Sequence, residues 1–122
     1  MSQTVHIIDP KPEERTRLAA ALVGGRLNIR AYDSAEQFLA QVGVSSSGCV
    51  LASADLPGQG VRALIEEIRH RDLPLAVVVI ARNSDLATAV ELMRAGAADF
   101  LEHPVSERRL RSVVREAIGN DS

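Results

Sequence analysis

The chain has 122 residues, 46% of them apolar and 25% charged, with a formal net charge of -2, which bounds it as one globular domain too short to split into two ordinary ones. Tyr32, Phe38 and Phe100 are its only aromatic residues, so it lacks the stacking platforms of single-strand nucleic-acid binders, and its charge provides no field to draw DNA or an acidic membrane. No apolar run approaches the ~20 residues that cross a bilayer.

The start "MSQTVHIID" has no basic flank before a long apolar stretch, so no secretion signal is expected and a cytoplasmic protein is. The β-branched run "TVHII", Thr4 to Ile8, predicts a strand. Pro12 suits the first turn of the helix that follows, with Glu13 and Glu14 favourable at its positive end. Leu18, Ala21 and Leu22 give that helix a buried stripe, and Gly24-Gly25 can end it. "NIRAY", Asn28 to Tyr32, alternates in polarity and predicts a less buried strand near a sheet edge.

Ser34 and Gln37 have capping-box spacing, each able to satisfy a free backbone N–H at a helix start. Ala35, Phe38, Leu39 and Val42 form one face of that helix, and Gly43 with the "SSSG" run closes it as a loop. The strand–helix pattern then repeats three times. "CVLA" precedes a helix with Val61, Leu64, Ile65 and Ile68 on one face, and Cys49 within it reads as a small buried hydrophobe. "AVVVI", Ala76 to Ile80, precedes a helix whose apolar stripe is Leu86, Ala89, Val90 and Met93, with Gly96 as its stop. "DFLE", Asp99 to Glu102, precedes Leu110, Val113, Val114, Ala117 and Ile118.

Strands apolar on both faces belong in a parallel sheet covered by helices on both sides, joined by right-handed crossovers. The expectation is therefore a doubly wound α/β domain over residues 1–122. Ligands of such sheets bind beyond the carboxyl ends of the strands. Here those ends carry Asp9, Ser53, Ala81 and His103.

At this point the chain resembles a known family. "VHIIDPKPEERTRL", "YDSAEQFLA", "LPGQGVRALIEEIR", "LPLAVVVIARNSDLATAVELMRAGAADFLEHPV" and "ERRLRSVVREAI" resemble, in order and spacing, the CheY-like receiver domain of two-component response regulators. The likeness is greatest to receivers of FixJ-like transcriptional regulators. "AVELMRAGAADFLEHP" is the most specific stretch. The resemblance implies five parallel strands in the order 2-1-3-4-5. It also implies a site of two adjacent acids, a phosphoacceptor aspartate, a hydroxyl residue and a lysine.

This sequence departs from that site at each place. The acid pair is Asp9-Pro10, and counting back from Pro57 puts Ser53 where the acceptor stands. Ala81 replaces the hydroxyl residue, and His103, before Pro104, replaces the lysine. The loop "PGQG" also reaches Gly60 one residue early. Phosphoryl transfer depends on positioning and on neutralising charge with a metal and a cation. Mg²⁺ binds through one or two carboxylates plus phosphate oxygens, and a serine without a base is a weak nucleophile. The pocket is therefore expected to be vestigial, with no cofactor, and with Mg²⁺ only in a working site.

Other readings remain open. Asp55 could be a shifted acid working with Asp9, and both are then weak metal candidates. Ser53, His103 and Asp9 superficially resemble a hydrolase triad, although "ASAD" is no G-x-S-x-G elbow. His103 beside Asp9 could form a pH-sensitive pair in which the carboxylate favours charged imidazole. Arg94, Phe100, Arg108, Arg111 and Arg115 offer an interaction face, because receivers of this family signal through the fourth helix, fifth strand and fifth helix. The expected partner is another protein, an attached output domain outside this chain, or a second copy. Direct nucleic-acid binding and membrane attachment are not expected.

Overall fold

The computed structural model describes residues 3–43, 46–57, 60–83 and 85–119. Strands and helices alternate: β1 (Thr4–Ile8), α1 (Pro12–Ala21), β2 (Asn28–Tyr32), α2 (Ala35–Gln41), β3 (Gly48–Ser53), α3 (Gly60–His70), β4 (Leu75–Ala81), α4 (Leu86–Ala95), β5 (Asp99–Glu102) and α5 (Glu107–Gly119). The strands pair in parallel in the order β2-β1-β3-β4-β5. This is the doubly wound fold that the alternating pattern predicts.

Each strand feeds two cores, because successive side chains point to opposite faces. Val5, Ile7, Leu51 and Val78 pack with α1 and α5, whereas Ile8, Val50, Ala52 and Val79 pack with α2 and α3. The central strand β3 is buried along almost its whole length, and Cys49 is buried within it. β2 is an edge strand with exposed Asn28, Arg30 and Ala31, as its alternation predicts. β3 begins one residue before "CVLA": Gly48 belongs to the strand, paired with Thr4 of β1, rather than to the preceding loop.

Helix boundaries follow local chemistry. α1 carries Pro12 in its first turn, and it ends at Ala21, ahead of the Gly24-Gly25 pair. At α2 the Ser34 hydroxyl accepts the Gln37 N–H at 3.1 Å. The Gln37 side chain reaches back to accept the N–H of Asp33, one residue earlier than Ser34's own. α3 buries Val61, Leu64, Ile65 and Ile68 as its period requires.

α4 departs from expectation. Its Leu86 is 80% exposed, and Val90 and Met93 also face outward. Leu92 is its one buried residue. The reason is steric: Leu92 is flanked along the helix by the small residues Ala89 and Ala95, which let α4 approach the core closely, and Ala95 packs against that core. Two contacts with α3 hold this rotation, an Arg62–Glu91 ion pair and a bond from Arg69 to the Ala95 carbonyl.

Candidate functional site

The parallel register brings the ends of four strands to one edge: Ile8 pairs with Ala52, Ser53 with Ile80, and Ala81 with Glu102. Just beyond them, Asp9, Pro10, Ser53, Asp55 and His103 line a single cavity of about 20 Å³. That is room for roughly one water molecule. Ala81 is buried beside it, and its carbonyl accepts the His103 N–H at 2.8 Å. The sequence-predicted pocket residues therefore do converge.

Asp9 and Ser53 are already engaged. Asp9 is buried, and its Oδ1 accepts the Lys11 N–H at 2.9 Å. Burial pushes its carboxyl above the usual value, against the pull of that N–H. Ser53 Oγ accepts the Asp55 N–H at 3.1 Å, a local turn bond. Asp55 itself is exposed at the cavity edge. Among the described residues, no hydrogen bond joins Ser53 to His103, so the geometry does not assemble a triad.

The sequence reading misses the residue at the centre of this edge, Glu14. Its carboxylate is buried on α1. Arg17 grips it with both arms, Nε to Oε1 at 2.9 Å and Nη2 to Oε2 at 3.0 Å. Arg82, in the loop after β4, reaches Oε1 at 3.4 Å, and His103 Nε2 lies 3.5 Å from Oε2. The Arg17 bond holds the Glu14 carboxyl below its usual value despite burial. The available signal was the Glu-x-x-Arg spacing of Glu14 and Arg17, neighbours on a helix; nothing local pointed to Arg82.

His103 also differs from expectation. Its nearest acid is Glu14 rather than Asp9, and its imidazole is shifted down, not up. Burial and the Arg82 charge outweigh the carboxylates, so neutral imidazole is favoured. The contact with Glu14 is then one of a neutral ring with an anion.

The donor set does not match the needs of Mg²⁺, which takes octahedral oxygen ligands and keeps several waters. Of the three acids lining the cavity, Asp9 has an oxygen already bonded, Glu14 is held by guanidinium groups and Asp55 is exposed at the edge, and the cavity admits about one water. Among the described residues, no three His, Cys, Asp or Glu side chains group as metal ligands. The short loop at "PGQG" lies partly at Gly58 and Gln59, outside the described residues.

The candidate interaction residues are dispersed. Arg94 lines a groove between α3 and α4, and Phe100 is half-buried against the α3-side core. Arg108 is exposed on α5. Arg111 turns toward α1, donating to the Ala21 carbonyl at 3.2 Å, and Arg115 lines a groove with Leu22 and Leu27.

With this geometry established, comparison with known proteins is direct. Residues 5–115 match the response regulator receiver domain. The transcriptional regulatory protein FixJ of Azorhizobium caulinodans is 33% identical over 99% of this chain, which covers 57% of that protein. The chain thus spans about half the length of the curated relatives it matches. The full-length FixJ structure from B. japonicum superposes with a TM-score of 0.91 at 27% identity, covering all of this chain and 61% of that one. The receiver domain of a putative LuxO repressor from Vibrio parahaemolyticus superposes at 0.93 with 18% identity, over 99% of this chain and 93% of that one, a likeness of fold. Among the described residues, no helix is long and apolar enough to cross a membrane. Profile, relatives and strand order agree: this chain belongs to the response regulator receiver domain family and is related to the transcriptional regulators of two-component systems.

Proposed function

We propose that this chain is a receiver that accepts no phosphoryl group, works without Mg²⁺, and regulates by protein–protein contact in the cytoplasm. The observation that carries this reading is Ser53. It ends β3 at the cavity in the acceptor's place, and its hydroxyl is bonded to the Asp55 N–H. Pro10 in place of a second acid beside Asp9, and the small cavity, support it. Its partner is an output domain, since full-length regulators among the relatives are about twice as long as this chain. The output domain is of the DNA-binding kind, while this domain makes no nucleic-acid contact of its own. A second copy of the chain is the alternative partner.

The second reading, a displaced acceptor at Asp55 working with Asp9, draws on their sharing one cavity. Asp55's exposure argues against it, because a phosphoryl group there would lack a desolvated cradle. Backbone amide spectra recorded with and without Mg²⁺ and beryllium fluoride, a phosphoryl analogue, separate the two. Superimposable spectra are expected. Saturable shifts at Asp9, Ser53 and Asp55 would establish the working site instead.

A further inference from the structure

We propose that Arg17, Arg82 and His103 form an oxyanion-binding site whose resident anion is the protein's own Glu14 carboxylate, and that this internal anion ties the loops after β4 and β5 to α1. The inference deepens the reading above and rests on it, since a pocket already holding its anion needs no phosphoryl group to position its loops.

The geometry carries it. Acidic side chains are almost never buried unless paired, and Glu14, only 8% exposed, is paired from three separate elements. Arg17 comes from its own helix, Arg82 from the residue after β4, and His103 from the residue after β5. Two parallel N–H···O bonds from Arg17 match the way guanidinium recognises carboxylate or phosphate. The contacts therefore recognise an oxyanion by shape as well as charge. A groove of about 460 Å³ opens beside Glu14, bounded by Arg17, Arg82, Asn83, His103 and Pro104. Were Glu14 uncharged, the two guanidinium groups would face this open groove with no anion between them.

The consequence is mechanical. Arg82 lies in the segment that leads into α4, and α4 carries the exposed Leu86, Val90 and Met93. Glu14 thus links the vestigial pocket to the start of the helix with the most exposed apolar side chains in the described chain.

Amide spectra of the wild type and Glu14→Gln, each titrated with inorganic phosphate, test this. Glutamine keeps the shape and removes the charge. The expected result has two parts: the substitution shifts amides at 82–86 and 103–105 as well as α1, and phosphate binds the variant at least about tenfold more tightly, as removal of one like charge at close range allows. Shifts confined to α1, or an unchanged phosphate affinity, would overturn the proposal. Should Glu14→Gln fail to fold, Arg82→Gln serves: shifts spreading to residues 13–17 and 103–105 support the tie, and shifts confined to 80–86 refute it. Covalent phosphorylation of the wild type is a separate outcome, which would overturn the proposed function while leaving the test of the Glu14 contacts to the amide shifts.

Discussion

Gly48→Ala is expected to destabilise the domain by about 3 kcal/mol or more, which is over half of the total for a domain at the low end of the usual stability range, about 5 kcal/mol. Gly48 has φ of +119°, a backbone conformation that side chains rarely adopt. A Cβ built there would stand 2.0 Å from the Thr4 carbonyl oxygen and 3.0 Å from its carbon. Both are backbone atoms of β1, the strand that pairs with β3 at that register point. Neither can move without parting β1 from β3. Thermal unfolding should show a midpoint lowered by roughly 10 °C or more. A midpoint within about two degrees of the wild type would show that β1 and β3 can separate at this end without cost.

Acidification from about pH 6.5 to about pH 4 should cost up to about 3 kcal/mol through His6 alone. His6 lies in β1 at 4% exposure, stacked near Tyr32 and edge-on to Phe38. Its Nδ1 is 3.0 Å from the Tyr32 hydroxyl, and its buried Nε2 has no hydrogen-bond partner among the described residues. Burial, helped by the nearby Arg30 charge, lowers its pKa from 6.5 to about 4. In that interval the unfolded chain takes up a proton that the folded one refuses, so stability falls as pH falls.

His103 adds to the loss in the same direction, and Glu14 adds near the acid end, where its depressed carboxyl is protonated more readily in the unfolded chain. Asp9, with its raised carboxyl, works the other way. Denaturant unfolding at a series of pH values should give a curve that His6→Phe visibly flattens between pH 6.5 and 5. An unchanged slope in that variant would mean that the buried imidazole is protonated at little cost.

The strands were legible because β-branched runs such as "AVVVI" have no better use than a sheet buried on both faces. α3 was legible for the same kind of reason, since its apolar residues describe one stripe only. α4 offers two stripes. Periodicity favours the more hydrophobic one, Leu86, Val90 and Met93, but close packing selects the one flanked by alanines, with Leu92 inward. Helix hydrophobicity measures what could be buried, whereas the fit against α3 decides what is.

The candidate site divides in the same way. Strand ends converge in any parallel sheet, so Asp9, Ser53 and His103 could be placed together from spacing alone. Glu14 could not, because a first-turn glutamate is satisfied equally well by the helix dipole. Only the fold reveals that Arg82 and His103, from two other elements, close on it. Gly48 was equally silent within "SSSG", since its constraint is a carbonyl on a different strand.

The most direct test of the central claim, that this receiver accepts no phosphoryl group, is intact-mass spectrometry after incubation with Mg²⁺ and acetyl phosphate. The account predicts an unchanged mass in a protein shown to be folded. A gain of one phosphoryl group would contradict it, and loss of that gain in Asp55→Asn would place the reaction on the displaced acid at the cavity edge.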